Sequence, residues 1–293
     1  MSQLVHAVSR VRAMESQLLT SNAVERMISA ESFDSAYSVL DNLGYAEESS
    51  YFRETKDFEG VLEMGLYSSR QTFSSFGLES LFRICTVILD IQNISLALKS
   101  KEKNEDGDDL ENMMIQYGYY SIEDIKKVVF ENIGNSELLS LFSTLSFFKT
   151  LEEKEQKIHS FLFEKAKNEA DGNLFLLQFL SYLENSELLK LDILEKNERE
   201  LSELYPQFSV ILQKVFLNKT QGGQISAFEI LFDEKMVQFL KESSLGKIDG
   251  IEPLFSFFWR KERNARVIRS ILLAKKAAIS SEEIRKEFTS FIF

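Results

Sequence analysis

The two histidines are the residues from which a search for metal or acid–base chemistry begins. His6 and His159 lie in different thirds of the sequence, and neither has a second histidine three or four positions away. A helical zinc site of the H-E-x-x-H type needs two histidines at that spacing on one helix face. We therefore interpret His159, which follows an apolar residue in an amphipathic stretch, as a residue at the edge of the core.

The sequence gives little support for a phosphate-binding site or a divalent-cation site. Gly246-Lys247 lacks the upstream glycine of a phosphate-binding loop, and no G-x-G-x-x-G occurs in the chain. A run of acidic residues could bind a divalent cation weakly, but its order does not match an EF-hand loop, so a hydrated charge run is favoured. Its members are Glu105, Asp106, Asp108 and Asp109. We predict no cofactor and no metal site.

Carboxylates and the cysteine complete the search for catalytic groups. Glu15, Glu63, Asp90 and Glu262 lie within helical stretches, where carboxylates are usually solvated. Cys85 is the one cysteine, which excludes an internal disulfide, and it shares a helical stripe with apolar residues. The sequence predicts a protein that is not an enzyme. A helical enzyme with an internal acidic pocket stays open as an alternative.

Composition and charge limit the fold and the partners. The 293 residues contain 2 Pro and 12 Gly, which leaves little room for the tight turns of a β-sandwich or barrel. The formal net charge is −12, which disfavours nucleic acid and anionic membrane surfaces. We expect no nucleic-acid partner, and protein partners with basic or apolar surfaces.

The spacing of apolar residues is helical throughout. They recur at steps of three and four, which lines one side of an α-helix, so we predict an all-α fold. Long helical stretches are predicted at 57–101, 152–196 and 252–278. Four pairs have the spacing of a helix N-cap and its third residue. They are Asn22 with Glu25, Ser121 with Asp124, Thr150 with Glu153, and Ser280 with Glu283.

Charged segments divide the chain into three parts of similar length. The polar run at 99–112 and the segment KNERE at 196–200 are the candidate boundaries, giving parts at 1–105, 106–198 and 199–293. The parts look alike: each runs into a long helical stretch that ends in mixed apolar and basic residues. Anchoring the three on Asp90, Tyr182 and Asn264 gives spacings of 92 and 82 residues, a marginal internal repeat.

Targeting signals are not evident. The opening MSQLVHAVSR has no charged segment followed by an apolar one, and no run of about 18 apolar residues occurs. We therefore expect no signal peptide, no segment that spans a bilayer, and a cytoplasmic location.

Several ordered motifs resemble one family, the C subunit of bacterial and archaeal V/A-type ATPases, whose eukaryotic relative is the V-ATPase d subunit. The opening match runs from Arg10 to Tyr45, and the acidic start of a long helix follows at Asp57. Asp90-x-x-Asn93 with its basic tail is similar to a recurring family signature, and the segment from Glu252 to Arg285 matches near the C-terminus. The middle of the chain matches poorly.

The resemblance implies three related helical subdomains arranged as a funnel with pseudo-three-fold symmetry. The family member sits on the cytoplasmic face of the membrane-embedded proteolipid ring and receives the foot of the central axle, built from the D and F subunits. It implies a peripheral, non-catalytic socket, one copy per complex, that transmits torque for H⁺ or Na⁺ transport. A helical-repeat scaffold or adaptor protein unrelated to rotary ATPases is the alternative.

Five polar residues are the candidates for binding those partners. Asp90 and Asn93 lie three apart on one helical face, Asn185 keeps the asparagine position in the second part, and Arg266 and Arg269 could meet acidic groups. The alternative is that Asp90 and Asn93 hydrogen-bond neighbouring helices, and that the arginines are ordinary surface residues. Tyr182 and Asn264 replace the signature acid in the second and third parts, which puts a shared polar role in doubt.

Overall fold

The structure is a computed structural model that describes residues 3–52, 54–104, 110–193, 196–220 and 227–288. Every regular element within these ranges is helical, so the prediction of an all-α fold is confirmed. The predicted pseudo-three-fold arrangement stays a prediction. The α-helices, in chain order, are α1 (Gln3–Met14), α2 (Ser21–Ser29), α3 (Phe33–Tyr37), α4 (Ala46–Tyr51), α5 (Phe58–Ser75), α6 (Glu79–Glu102), α7 (Leu110–Met113), α8 (Ile122–Lys126), α9 (Ser136–Leu145), α10 (Leu151–Glu169), α11 (Leu174–Asp192), α12 (Glu198–Leu204), α13 (Ser209–Thr220), α14 (Ala227–Ser244), α15 (Glu252–Lys276) and α16 (Ser281–Phe288).

The helices form two compact units. Unit 1 is built from two separate segments, Met1–Thr72 and Glu184–Phe293, whereas unit 2 is the continuous segment Phe73–Leu183. The division into parts at 1–105, 106–198 and 199–293 is a statement about sequence repeats and stays a prediction.

Unit 2 is organised around α6, which packs against α10 and α8. Its apolar side chains, such as Phe82, Ile84 and Ile94, are buried there. Cys85 is also buried in α6, which confirms its interpretation as a core residue. Residues Leu81–Glu102 are long and apolar enough to cross a bilayer by length and composition alone, but the greater part of this helix is buried within the protein, as in an ordinary core helix.

Unit 1 is organised around α15, which packs against α14 and against α1, α2 and α3. Phe255, Phe257 and Phe258 are each at most 2% exposed, so this aromatic run belongs to the core. Helix α1 contributes Ala7 and Val11, which are also buried. The last long helix is therefore covered by the first three helices of the chain.

Two of the three long helical stretches are interrupted. The stretch predicted at 57–101 breaks between α5 and α6, where Gly77 takes φ +66°, a left-handed conformation that glycine adopts without steric cost. The stretch predicted at 152–196 breaks between α10 and α11, where Asp171 and Gly172 both have positive φ. The third, predicted at 252–278, is the single helix α15.

Three of the four predicted N-caps are confirmed. Ser121, Thr150 and Ser280 each accept a hydrogen bond from the backbone N–H three residues later. The prediction that Asn22 is an N-cap is wrong, because Asn22 lies inside α2 and Thr20 caps that helix instead. Thr20 has the extended backbone that an N-cap needs, and its side chain accepts from the Ala23 N–H.

Candidate partner-binding site

Asp90 and Asn93 lie on the face of α6 that packs against the segment leading to α8. Each is 1% exposed. Asp90 Oδ1 accepts from the Tyr120 N–H at 3.2 Å. Asn93 forms a two-way pair with the backbone of Ile115: its Nδ2 donates to the carbonyl at 2.8 Å, and its Oδ1 accepts from the N–H at 2.9 Å. Both side chains therefore satisfy backbone groups of the loop at 115–120, which is the alternative that the sequence left open for them.

Burial changes the protonation of Asp90. It raises the pKa of this carboxyl to about 7, against the opposing effect of the hydrogen bonds from Tyr120 and Thr86. Thr86 Oγ1 lies 3.3 Å from Asp90 Oδ2, one turn earlier on the same helix. Gly118 lies against the carboxylate, since a Cβ at that position would approach Asp90 Oδ1 to 2.6 Å. The loop therefore needs a glycine here to reach the carboxylate.

The same arrangement occurs around Asn264 in unit 1. With its amide oriented so that both groups are satisfied, Asn264 accepts from the Leu19 N–H at 2.7 Å and donates to the Arg260 carbonyl at 2.9 Å. Leu19 directly precedes the N-cap Thr20 of α2, just as Tyr120 directly precedes the N-cap Ser121 of α8. In each unit, one polar side chain of a long helix thus fixes the start of a short helix.

A lysine eleven residues further along each long helix completes the arrangement. Lys101 Nζ donates to the Val129 carbonyl in the π-helical turn that follows α8. Lys275 Nζ donates to the Ala30 carbonyl at the C-cap of α2, at 2.7 Å. The two ends of a short helical segment are therefore fastened to a long helix by one acceptor and one ammonium group, once in each unit.

This repetition corrects one doubt raised by the sequence. Because Asn264 stands where the signature has an acid, the sequence puts in doubt that this position has the same polar role as Asp90. An amide oxygen nevertheless accepts from a backbone N–H as a carboxylate oxygen does. Tyr182 and Asn185 lie in α11, where both side chains are partly buried. The role of Asn185 in partner binding stays a prediction.

Arg266 and Arg269 lie on α15 and contact acidic side chains of unit 1. Arg266 is 49% exposed, and its guanidinium lies 3.1 Å from Asp233 and 3.1 Å from Glu262. Arg269 is 28% exposed, and its Nε donates to both oxygens of Glu59, the closer at 2.7 Å. Both arginines have carboxylate partners within the chain, so their binding to another protein stays a prediction.

Asp233 of α14 and Arg263 of α15 form a buried ion pair. Arg263 donates to Asp233, and their side chains are 5% and 9% exposed. Burial also raises the pKa of Glu262, which the nearby Arg266 opposes. Sequence reasoning missed Asp233, because its partner lies thirty residues away on another helix, and because Asp233 stands beside Glu234 and Lys235 in a short charged run that looks like a solvated helix face.

A second cluster that the sequence did not indicate centres on Arg83 in unit 2. Arg83 pairs with Glu137, donating from Nη2 at 2.5 Å, and its guanidinium lies 4.2 Å from the centroid of the Tyr119 ring. Tyr120 Oη donates to Glu137 at 2.7 Å. The hydrogen bonds from Tyr120 and Arg83 hold the pKa of Glu137 below its usual value, against the opposing effect of burial. This cluster fastens α6, the loop before α8 and α9 to one another.

The five candidate residues divide between the units. Asp90 and Asn93 belong to unit 2, and the other three belong to unit 1, so the contacts within a unit do not join all five. Among the residues that the structure describes, no three side chains from His, Cys, Asp and Glu are grouped as metal ligands. The acidic run at 105–109 lies outside the described residues.

The polar side chains of this arrangement hold helices in register. Its carboxylates, amides and ammonium groups are mostly engaged with backbone groups or with one another. No curated protein matches the chain. A family model described as ATP synthase (C/AC39) subunit matches residues 7–175, more than half of the chain. The chain therefore belongs to the C/AC39 family of V/A-type ATP synthase subunits, and it is part of a rotary ATPase complex.

Proposed function

We propose that this chain is a non-catalytic central-stalk subunit of an H⁺- or Na⁺-translocating rotary ATPase. It acts as a socket on the cytoplasmic face of the membrane, peripheral to the bilayer and present as one copy. It links the foot of the central axle, the D and F subunits, to the proteolipid ring, and it transmits torque between them. The observation that carries the proposal is the family match over residues 7–175.

The way each unit is fastened supports a torque-bearing role. A part that transmits torque must resist sliding of its helices, and charge-assisted hydrogen bonds fix register more sharply than apolar packing does. Lys101 and Lys275 supply such a bond at one end of each short helix, and Asp90 and Asn264 accept a backbone N–H at the other end. The buried pair Arg263–Asp233 adds a third fixed point in unit 1.

Among the candidate residues, Arg266 is the best suited to direct partner contact, because nearly half of its side chain is exposed. Arg269 and Asn185 also contact a partner subunit, each through a smaller part of its side chain. Asp90 and Asn93 act on partner binding through the loop at 115–120 that they hold.

Co-purification from native membranes tests the proposal directly. The tagged full-length chain is isolated in mild detergent at moderate salt, and its partners are identified by mass spectrometry. We expect the proteolipid, the axle subunits and the nucleotide-hydrolysing head. Recovery of the chain alone, or with unrelated soluble proteins, would overturn the rotary assignment in favour of an unrelated helical adaptor.

A charge reversal tests the role of Arg266 in the same preparation. Arg266→Glu is expected to lower recovery of a partner by several-fold, because a rim arginine steers and orients association. Arg199→Glu on α12 is the matched control, since Arg199 is 89% exposed and changes the charge equally. Equal recovery for the two variants would remove Arg266 from the interface.

A coupling measurement separates a socket from a catalyst. Membranes lacking the chain are expected to lose ATP-driven ion transport, while the detached head keeps its ATP hydrolysis. Restoring the purified chain should restore transport. Loss of hydrolysis by the head itself would show that the chain takes part in the chemistry and would contradict the non-catalytic assignment.

A further inference from the structure

A groove in unit 1 lies between α13, α14 and the first half of α15. Its volume is about 540 Å³, and its apolar lining includes Val210, Ile211, Leu231 and Val237. Val210 is 63% exposed, so apolar surface is open to solvent at this groove. We call this surface the cationic groove, because most of the charged side chains that line it are basic.

The charged side chains of the groove are mostly basic. Lys214, Lys235, Lys241 and Arg260 line it, against the single carboxylate of Glu234. This excess of positive charge is local, because the chain as a whole has a formal net charge of −12. Lys235 donates to the Gln207 carbonyl and Arg260 pairs with Glu15, so Lys214 and Lys241 are the charges that favour an anionic occupant.

Two of these cations are exposed and lack an acidic partner. Lys214 and Lys241 form no ion pair with any of the residues that the structure describes, and both side chains are exposed. Arg260 lies 3.5 Å from Glu15, which also pairs with Arg12 at 2.9 Å, so a single carboxylate serves two guanidinium groups. Burial lowers the pKa of Lys235 and of Arg260. A carboxylate ligand would compensate these partly buried charges.

The walls of the groove determine the shape of its occupant. They are helices, whose backbone groups are bonded internally, so an extended peptide would find no strand edge to pair with here. A helix satisfies its own backbone and can lay an apolar stripe along the groove floor. On α14 the lining runs from Leu231 to Lys241, about 15 Å at 1.5 Å per residue, which matches roughly three helical turns.

We propose that the cationic groove binds an acidic amphipathic helix of a partner protein. Apolar residues of that helix, spaced three and four apart, contact Val210, Leu231 and Val237. Aspartate and glutamate residues beside this stripe pair with Lys214 and Lys241 at the rim. An anionic membrane surface is disfavoured, because the site is concave and the chain is acidic as a whole. This inference goes beyond the proposed ring and axle contacts and does not depend on them.

Site-specific photo-cross-linking in the native cell tests the proposal. p-Benzoylphenylalanine is placed at Val210 and, separately, at Gln238, which lines the groove and is exposed. The full-length chain is irradiated in cells and purified, and the cross-linked segment is sequenced by mass spectrometry. The expected product is a segment of another protein that has a helical apolar period and a net negative charge.

Charge-reversal variants make the outcome decisive. Lys214→Glu with Lys241→Glu should lower the cross-linked yield by about tenfold or more, because like charges oppose docking. Lys149→Glu with Lys276→Glu changes the net charge equally at exposed positions outside the groove, and should leave the yield unchanged. The absence of a cross-link at both positions would overturn the proposal, and so would cross-links to lipid, to a second copy or to this chain itself. A cross-linked segment that is basic or lacks a helical apolar period would also overturn it. Equal yields from the two double variants would do the same.

Discussion

At the scale of single residues, the buried carboxyl of Asp90 is the group whose ionisation affects stability most clearly. Its pKa is about 7 in the folded protein and 3.8 for an unperturbed aspartate. Between these values the folded state binds more protons than the unfolded state, so this group makes the free energy of unfolding fall as the pH rises from about 4 to 7. Well above pH 7 Asp90 is ionised in both states, so its effect on the free energy of unfolding no longer changes with pH.

Asp90→Asn should remove this pH dependence while keeping the bond to the loop. The amide oxygen can accept from the Tyr120 N–H, as that of Asn264 accepts from Leu19. Relative to Asp90, we expect the asparagine variant to gain stability between pH 4 and 7, by up to about 4 kcal/mol. Urea unfolding of both proteins at several pH values measures the difference. A difference that does not vary with pH would contradict the raised pKa.

Asp90→Ala separates the hydrogen bond from the charge. It leaves the buried Tyr120 N–H without its acceptor, so it should cost about 1–3 kcal/mol relative to Asp90→Asn at pH 8. The comparison is made by urea unfolding of the two variants. Equal stability of the two would mean that the bond to the loop contributes nothing measurable.

Lys261 also makes stability depend on pH, but in the opposite direction to Asp90. It is 6% exposed, its ammonium lies 3.8 Å from the centroid of the Tyr45 ring, and burial lowers its pKa to about 8. The unfolded state binds more protons between about pH 8 and 10.5, so this group makes stability rise with pH in that window.

Lys261→Met should therefore raise the free energy of unfolding at pH 7 by about 1–3 kcal/mol, the attraction to the ring offsetting part of the desolvation cost. The gain should shrink as the pH approaches 10. Thermal unfolding at pH 7 and pH 9.5 checks both parts. A destabilised variant at pH 7 would mean that the cation–ring contact outweighs the cost of burial.

At the scale of elements, the helical period predicts which segments are helices, whereas contacts distant in sequence explain what holds them. The spacing of apolar residues places α15 almost residue for residue, but it does not reveal that Asn264 meets Leu19, since these positions are joined only by folding. The breaks near Gly77 and Gly172 were missed, because single glycines are also tolerated inside helices.

The lysine at the end of each long helix should control the fraying of the short helix it holds. Lys275→Met removes the donor to the Ala30 carbonyl at the C-cap of α2. We expect hydrogen exchange to speed up several-fold in Ser21–Ser29. A smaller increase is expected at the start of α16, because Lys275 Nζ also donates to Ser281 Oγ at 2.9 Å, with little change elsewhere in unit 1. Lys276→Met is the control, because Lys276 is exposed on the same helical turn. Equal exchange in both variants would assign the bond no role in holding α2.

At the scale of the whole molecule, unit 1 depends on segments from distant parts of the sequence. Removal of residues 1–17 takes away α1, whose Ala7, Val8 and Val11 are each at most 3% exposed. We expect unit 1 to lose protection from hydrogen exchange, while unit 2, a continuous segment, keeps it. Loss of protection in both units together would mean that they unfold as one.

The split of unit 1 also sets an order of events during synthesis on the ribosome. The segment Phe73–Leu183 is complete in itself and can fold as soon as it emerges. The first helix must wait for α15, which follows roughly 240–260 residues after the end of α1, or about 12–50 s at ordinary elongation rates. Through that interval the apolar face of α1 has no partner from α15, so we expect the nascent chain to expose this face until the last long helix has been made.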